Sequence, residues 1–282
     1  MALTIDLGGR VALVTGGVRG VGAGITRALL DAGADVVTCA RHEPERLPET
    51  RRGRTPSFRV ADIRDTEQAQ ALVAAVAAER GRLDILVNNA GGAPTADAAT
   101  ASPRLHAGVV NLNLLAPLVL SQAANAVMQE QPDGGSIVMV SSVSGLRPSP
   151  GAAAYGAAKA GLHSLAGTLS VEWAPKVRVN AVACGPVRTE LAHLYYGDEA
   201  AVERVGGTIP AGRLAEPGDV GAVCAFLASP LAAYVSGAVL VLHGGGERPA
   251  YQAVAEPVAD SASDSAPDSA PDSASDSAEV AR

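Results

Sequence analysis

Aromatic residues, cysteines and long apolar runs are all scarce in this 282-residue sequence. Only 3% of the residues are aromatic although 48% are hydrophobic, so valine, alanine and leucine must form the core, which is typical of an α/β layered domain. The three cysteines are scattered and odd in number, and they offer neither a disulfide framework nor a metal-ligand spacing. We therefore expect a reduced, cytoplasmic protein with no metal site.

Targeting signals and strong basic charge are missing as well. The N-terminal residues MALTIDLGGR do not combine a basic region with a long apolar one, so we expect no secretory signal. No uninterrupted apolar run reaches about 18 residues, so no membrane span is expected. The net charge is −7, and the absence of a basic stripe argues against nucleic-acid binding.

Most of the negative charge lies in the last part of the chain. Eight acidic residues and two arginines occur from Glu247 to the C-terminus, and from Asp260 the sequence repeats Asp-Ser-Ala-Ser/Pro with a period of four. Such a segment has too little apolar surface to bury a core. We predict one folded domain over residues 1–246 and a disordered acidic tail over residues 247–282.

Short apolar runs alternate with longer helical patterns through the predicted domain. Strands are predicted at Arg10–Thr15, Val36–Cys39, Phe58–Ala61, Asp84–Val87, Ser136–Val140, Val177–Ala183 and Ala238–Leu242. Helices are predicted to end at Leu30 and to cover Thr66–Arg80 (with Thr66 as its cap), Val109–Met128, Tyr155–Trp173 and Pro217–Leu227. The segment Glu190–Leu214 is predicted to be an irregular lid over a pocket. This alternation predicts an α/β fold, a doubly wound parallel sheet of the Rossmann type.

A glycine-rich turn follows the first predicted strand directly and leads into a helix. Its sequence is TGGVRGVG, and its candidate cofactor contacts are Thr15, Gly16, Arg19, Gly20, Val21 and Gly22. In a strand–turn–helix context, backbone N–H groups at the helix N-terminus can receive a pyrophosphate. A glycine-rich turn alone often only closes a loop, but this context favours dinucleotide binding.

The residues after the second predicted strand bear on which dinucleotide is bound. An NAD-specific site would place an acid there to bind the ribose 2′-hydroxyl, whereas this chain has Ala40 followed by Arg41. Arg41 and Arg19 could together hold a 2′-phosphate. The alternative is that both arginines are solvated surface groups. We predict a preference for NADP(H), with NAD(H) remaining possible.

Two further strand ends carry candidate cofactor residues. Asp62 and the adjacent Ile63 follow the third strand, where they could contact the adenine. Asn89, Ala90 and Gly91 follow the fourth strand and could line the cofactor crevice or simply form a turn.

A serine, a tyrosine and a lysine follow the fifth predicted strand at a chemically meaningful spacing. Tyr155 and Lys159 are four residues apart and so share a helix face, and Ser142 precedes the tyrosine by thirteen residues. The ammonium is expected to lower the pKa of the phenol and make it a proton donor to a carbonyl oxygen. A Tyr-x-x-x-Lys pair alone also arises by chance. Asn113, inside a predicted helix, needs buried partners and is either a functional amide or a satisfied core residue.

Taken together, these motifs resemble those of the short-chain dehydrogenase/reductase family, in particular its 3-oxoacyl thioester reductase-like members. The resemblance runs from about Gly8 to Gly246. It implies a catalytic tetrad of Asn113, Ser142, Tyr155 and Lys159, in which the asparagine holds a water in a proton relay. Asn111 is a rival for that role, but the surrounding NLLAP sequence fits Asn113 better.

The resemblance also implies cofactor contacts after the sixth strand. Gly185, Val187 and Thr189 match positions beside the nicotinamide carboxamide, Tyr155 and Lys159 lie beside its ribose, and Cys184 stands where the family usually has proline. The implied activity interconverts a ketone and a secondary alcohol by hydride transfer in a homodimer or homotetramer acting on a small molecule. An NAD-dependent alcohol dehydrogenase and a catalytically silent nucleotide sensor are the alternatives.

Overall fold

The computed structural model describes residues 4–247, 251 and 254, so the Asp-Ser-Ala repeat lies outside the described residues. One seven-stranded parallel sheet has the strand order β3-β2-β1-β4-β5-β6-β7. Its strands are β1 Val11–Thr15, β2 Asp35–Ala40, β3 Ser57–Val60, β4 Ile85–Asn88, β5 Gly135–Ser142, β6 Val177–Cys184 and β7 Val239–Leu242.

Helices cover both faces of this sheet. They are α1 Gly20–Asp31, α2 Thr66–Arg80, α3 Pro103–Val110, α4 Ala116–Glu130, α5 Ala153–Glu172, α6 His193–Tyr196, α7 Glu199–Thr208 and α8 Pro217–Ala228. One apolar core joins α2, α4 and α5 to the sheet, and a second core joins α1 and α8 to its other face. The predicted doubly wound parallel sheet is therefore confirmed.

The predicted helix Val109–Met128 is longer than expected and contains a wide turn. It begins at Pro103, where Ser102 caps it by accepting a hydrogen bond from the Leu105 N–H at 3.2 Å. A π-helical turn over Asn111–Leu115 separates α3 from α4. An inserted residue of this kind widens the helix and is frequently found at functional sites. This turn contains the candidate residue Asn113.

The combined helix Pro103–Glu130 is long and apolar enough to cross a membrane by length and composition alone. In the fold, its residues Ala116, Leu120, Ala124 and Met128 are buried in the core beneath the sheet. Core helices of soluble proteins can have the same length and composition, so this helix alone is not evidence that the protein spans a membrane.

Two local predictions were wrong. The cap of α2 is Asp65 rather than Thr66, and its carboxylate accepts a hydrogen bond from the Gln68 N–H at 3.0 Å. The lid is not irregular throughout, since it contains α6 and α7. Asp198 caps α7 by accepting a hydrogen bond from the Ala201 N–H at 2.8 Å, which stabilises a helix that buries few residues.

A buried carboxylate ties the first and fourth strands together at the edge opposite their carboxyl ends. Asp84 is 4% exposed, and it accepts hydrogen bonds from the Val11 N–H at 2.8 Å, from Arg82 Nε at 2.8 Å and from Arg10 at 3.0 Å. Burial opposes its ionisation, but these donors outweigh burial and hold the pKa of Asp84 below its usual value.

We expect Asp84→Asn to lower the free energy of unfolding by about 2–3 kcal/mol at neutral pH, because the buried amide has no negative charge and can accept at only one of its two side-chain positions, so some of the donors from Arg10, Arg82 and Val11 lose their acceptor. The carboxylate's contribution is present above the unfolded-state pKa of about 3.9 and is lost as the pH falls further, so the two proteins should converge in acid. Urea unfolding at several pH values measures both effects. The control is Asp133→Asn, whose carboxylate also contacts Arg10 but is 55% exposed, and it should change little. An equal loss in both variants would contradict this assignment.

Candidate active site

A cleft of about 810 Å³ lies at the carboxyl ends of the strands. The order of the strands reverses between β1 and β4, and open α/β sheets bind ligands at such a switch point. The cleft is lined by most of the residues predicted from the sequence: Gly16, Arg19, Gly20, Val21, Gly22, Arg41, Asp62, Ile63, Asn89, Ala90, Gly91, Ser142, Tyr155, Lys159, Gly185, Val187 and Thr189. Thr15 and Asn113 are fully buried and do not line it.

The glycine-rich turn is shaped by close backbone approaches. Gly16 has a φ of +63°, a conformation that favours glycine. A Cβ at Gly22 would lie 2.1 Å from the carbonyl oxygen of Gly16 and 2.5 Å from the Asn89 amide nitrogen. Any larger residue at Gly22 would therefore force the turn away from the start of α1.

Thr15 and Asn89 join this turn to the end of β4. The Thr15 hydroxyl accepts hydrogen bonds from the N–H groups of Asn89 and Ala90, both at 3.0 Å. The Asn89 side-chain amide donates to the carbonyl oxygens of Thr15 at 2.8 Å and Gly16 at 3.2 Å. The two segments therefore form one rigid wall of the cleft.

Three arginines line the end of the cleft beyond the glycine turn. Arg19 and Arg41 are exposed, and neither forms an ion pair within residues 4–247. Asp62 is paired with the third, Arg64, whose Nε lies 2.9 Å from one carboxylate oxygen. This hydrogen bond is the main reason that the pKa of Asp62 lies below its usual value, and Arg41 also lowers it slightly. The end therefore offers unpaired positive charge beside a paired carboxylate.

Asn113 reaches across to the segment after β4. Its amide oxygen accepts from the Gly92 N–H, and its amide nitrogen donates to the carbonyl oxygens of Gly92 and Val109, all at 2.9 Å. A Cβ at Gly91 would lie 2.7 Å from the Asn113 oxygen and 3.3 Å from Lys159 Nζ, so both groups flank that α-carbon. Asn111 instead donates to the carbonyl oxygen of Arg64 at 3.3 Å. The geometry favours Asn113 over Asn111.

Ser142, Tyr155 and Lys159 come together on the floor of the cleft. Ser142 ends β5, and its hydroxyl accepts a hydrogen bond from the Ser144 N–H at 3.1 Å. Tyr155 and Lys159 share one face of α5, with Lys159 Nζ 5.5 Å from the centroid of the tyrosine ring. The lysine is 4% exposed and donates to the carbonyl oxygen of Val140 at 2.8 Å. A hydroxyl, a phenol and an amine thus face the same space.

The predicted lowering of the Tyr155 pKa was wrong. Burial raises the pKa of Tyr155 to about 12, and the nearby Ser142 hydroxyl opposes this rise without reversing it. Burial also lowers the pKa of Lys159 to about 8. Because the lysine is itself desolvated, its charge is less available to favour a phenolate. At neutral pH the phenol therefore keeps its proton, as a proton donor requires.

The segment after β6 supplies the last part of the wall. A Cβ at Gly185 would lie 2.9 Å from the Cβ of His243, so the glycine permits a close approach to the segment after β7. Val187 pairs with Ala215 in an isolated parallel bridge, which holds the start of the lid. Cys184 is 7% exposed, and burial raises its pKa to about 12, so its thiol stays protonated.

Arg64 and Glu190 are among the cleft-lining residues that sequence reasoning missed. The Glu190 carboxylate accepts a hydrogen bond from the Gly20 N–H at 3.0 Å. Arg64 follows the predicted adenine contact by two residues, which is a local signal. The partner of Glu190 lies 170 positions away, and no sequence pattern indicates that contact.

The fold and the cleft define a class of protein. A glycine-rich strand–turn–helix at the switch point suits a dinucleotide, and a hydroxyl, a phenol and an amine suit proton transfer to or from a substrate oxygen. This combination is that of a nicotinamide-dependent oxidoreductase acting on an alcohol or a ketone.

Comparison with known proteins agrees with that class. A family model described as Enoyl-(Acyl carrier protein) reductase matches residues 16–247. A tropinone reductase homolog of Arabidopsis thaliana is 35% identical over 246 residues, which are 85% of this chain and 91% of that protein. A 3alpha-hydroxysteroid dehydrogenase of Mediterraneibacter gnavus is 36% identical over 242 residues, 83% of this chain and 96% of that protein.

A solved structure also matches. The putative NAD(P) dependent gluconate 5-dehydrogenase from Beutenbergia cavernae, with bound NADP at low occupancy, has a TM-score of 0.78 and 34% identity, and covers 86% of this chain and 98% of that one. The chain belongs to the short-chain dehydrogenase/reductase family, as the sequence motifs predicted. It is an NAD(P)-dependent oxidoreductase that acts on CH–OH groups of small molecules.

Proposed function

We propose that this enzyme reduces a ketone to a secondary alcohol with NADP(H), using a Ser142–Tyr155–Lys159 proton relay assisted by Asn113. The observation that carries the proposal is the convergence of these three side chains on the floor of the cleft at the strand ends. A bound nicotinamide would supply the hydride. Ser142 hydrogen-bonds the carbonyl oxygen, and Tyr155 donates the proton as negative charge develops there.

Lys159 and Asn113 support the tyrosine in this proposal. The positive charge of Lys159 stabilises the phenolate that remains after proton donation, and its ammonium can hold the ribose hydroxyls of the cofactor. Asn113 fixes the strand-end segment beside the lysine through its two hydrogen bonds to Gly92. Positioning the reacting groups in this way contributes to the rate without adding a new chemical group.

The proposed preference for NADP(H) rests on Arg19 and Arg41. Both are exposed at the end of the cleft, and Ala40 stands where an acid would hold a free ribose hydroxyl. Guanidinium groups bind phosphate bidentately, so a 2′-phosphate would gain charge-assisted hydrogen bonds that a 2′-hydroxyl cannot make.

We expect Arg41→Ala to weaken NADPH binding by about tenfold or more while NADH binding stays nearly the same, because a charge-assisted hydrogen bond is worth about 1.5–3 kcal/mol. Isothermal titration of both cofactors against wild type and variant measures this. Arg46→Ala is the control, since that exposed arginine does not line the cleft. Equal binding of NADPH and NADH by wild type would instead favour an NAD-dependent alcohol dehydrogenase.

The proposed substrate is an apolar ketone, either a ring ketone or a 3-oxoacyl thioester. The cleft lining includes the polar residues Thr95, Ser144 and Glu190. It also includes a set of small or apolar residues and two lid phenols: Ala93, Pro94, Pro150, Leu191, Ala192, Tyr195 and Tyr196. The name of the hydroxysteroid dehydrogenase relative supports the ring ketone. The description of the matching family model supports an acyl thioester but not its 3-oxo group, because an enoyl reductase reduces a carbon–carbon double bond. Steady-state rates with NADPH over a panel of ring ketones, 3-oxoacyl thioesters and sugar ketones decide between them. Highest kcat/KM for the sugar ketones would contradict an apolar substrate.

We also propose a cytoplasmic homo-oligomer, either a dimer or a tetramer. Helices α4 and α5 carry apolar side chains that are only partly buried against the core, including Leu118, Val119 and Leu165, and Val171 on α5 is 79% exposed. All three cysteines are free and buried, which fits a reducing compartment. Light scattering tests the oligomer, and a monomer at micromolar concentration would contradict it.

A further inference from the structure

The carboxylate of Glu190 lies beside the backbone N–H groups at the end of the glycine-rich turn, where α1 begins. It accepts a hydrogen bond from the Gly20 N–H at 3.0 Å, at the first residue of α1. The methyl group of the preceding Thr189 is also close to Gly20, since it would lie 3.5 Å from a Cβ added there. We call the hydrogen bond between Glu190 and the Gly20 N–H the Glu190–Gly20 contact.

This contact compensates for features that the helix lacks. The first turn of α1 contains no acidic residue, and the side chain of Arg19 at the N-cap makes no capping hydrogen bond. The N-terminal N–H groups of a helix carry partial positive charge and attract anions. Glu190, from the lid, supplies the negative group that the local sequence does not provide.

Glu190 also belongs to the segment that shapes the substrate end of the cleft. Its carbonyl oxygen lies 3.0 Å from Nδ1 of His193, the first residue of α6. The next residue, Leu191, lines the cleft, and so do Tyr195 and Tyr196 of α6. The Glu190–Gly20 contact therefore lies next in the chain to residues that line the cleft.

We propose that Glu190 competes with the diphosphate of the dinucleotide for the N-terminus of α1, so that it limits cofactor affinity and links cofactor binding to the position of the lid. The inference rests on the proposed function, because it requires a dinucleotide diphosphate at the glycine-rich turn. A diphosphate and a carboxylate repel each other, and both seek the same partial positive charge. Cofactor binding then weakens the Glu190–Gly20 contact and frees the segment that leads to α6.

The test compares NADPH binding to wild type, Glu190→Gln and Glu190→Ala by isothermal titration at low and high salt. Removing the charge should tighten binding by roughly 2- to 5-fold, the range that corresponds to one anion at a helix N-terminus. The gain should shrink as salt screens the repulsion. Glu203→Gln is the matched control, since it removes the same charge from an exposed position on the lid helix α7 and should leave the affinity unchanged.

A second readout separates competition from a merely structural role. Glu190→Ala should lower the melting temperature of the cofactor-free enzyme but leave that of the NADPH-saturated enzyme at the wild-type value, because the contact is absent from the bound state. An equal loss in both states would overturn the proposal, as would unchanged or weaker NADPH binding by Glu190→Gln. In either case wild type still binds cofactor, so the proposed function stands. Binding of neither NADPH nor NADH by wild type would overturn the proposed function itself.

Discussion

Replacing Tyr155 by phenylalanine is expected to lower kcat for ketone reduction by about 10³-fold while the Kd for NADPH hardly changes. The ring stays in place beside Lys159, whose Nζ lies 5.5 Å from its centroid, but the proton that the phenol holds at neutral pH is gone. Single-turnover oxidation of NADPH with a saturating ketone measures the chemical step, and titration measures cofactor binding.

Tyr195→Phe provides the matched control for this experiment. This substitution also removes a phenol hydroxyl from the cleft, but from a tyrosine that is 61% exposed and lies on α6. We expect the kcat of Tyr195→Phe to change far less than the kcat of Tyr155→Phe, because Tyr195 can only contact the substrate and does not donate the proton. Comparable turnover in both tyrosine variants would remove Tyr155 from the proton-donor role.

We expect deprotonation of Lys159 to cause a fall in kcat/KM for ketone reduction at basic pH. Burial lowers the pKa of this lysine to about 8. Its charged form predominates below that pH and is lost as the pH rises through it, so kcat/KM, which reports the free enzyme, should fall above about pH 8. Tyr155, with a pKa of about 12, keeps its proton through this range and is not the source of the fall.

Lys159→Met keeps the length of the side chain and removes its charge. We expect kcat/KM to drop by about 10²-fold or more and the residual activity to lose its fall near pH 8. The chain's other lysine, Lys176, is exposed, and Lys176→Met should retain the wild-type profile. A pH break that persists in Lys159→Met would assign the titration to a different group.

The parts of this fold that were predicted correctly are those with local signals. The run VALVT is fully buried as β1, and the glycines that follow it allow the backbone approaches observed at Gly16 and Gly22. The carboxyl ends of parallel strands lie at one edge of the sheet, so the residues at the ends of β1, β4, β5 and β6 could be assigned to one cleft from the sequence alone.

The features that were missed depend on contacts between distant segments or on solvation. The Glu190–Gly20 contact joins residues 170 positions apart. The raised pKa of Tyr155 depends on how the phenol and its lysine are desolvated together, which spacing alone does not describe. The helix α7 was overlooked because it buries only Val202 and Gly206, although Asp198 gave a cap signal at its start.

The central claim is that the cleft transfers hydride from a nicotinamide to a carbonyl carbon. Its most direct test is to incubate the wild-type enzyme with an apolar ketone and NADPH that carries deuterium at both hydrogen positions of the nicotinamide C4 carbon, and to analyse the alcohol by mass spectrometry and NMR. We predict one deuterium at the carbinol carbon of every alcohol molecule formed. An alcohol whose carbinol hydrogen comes from solvent would contradict the account.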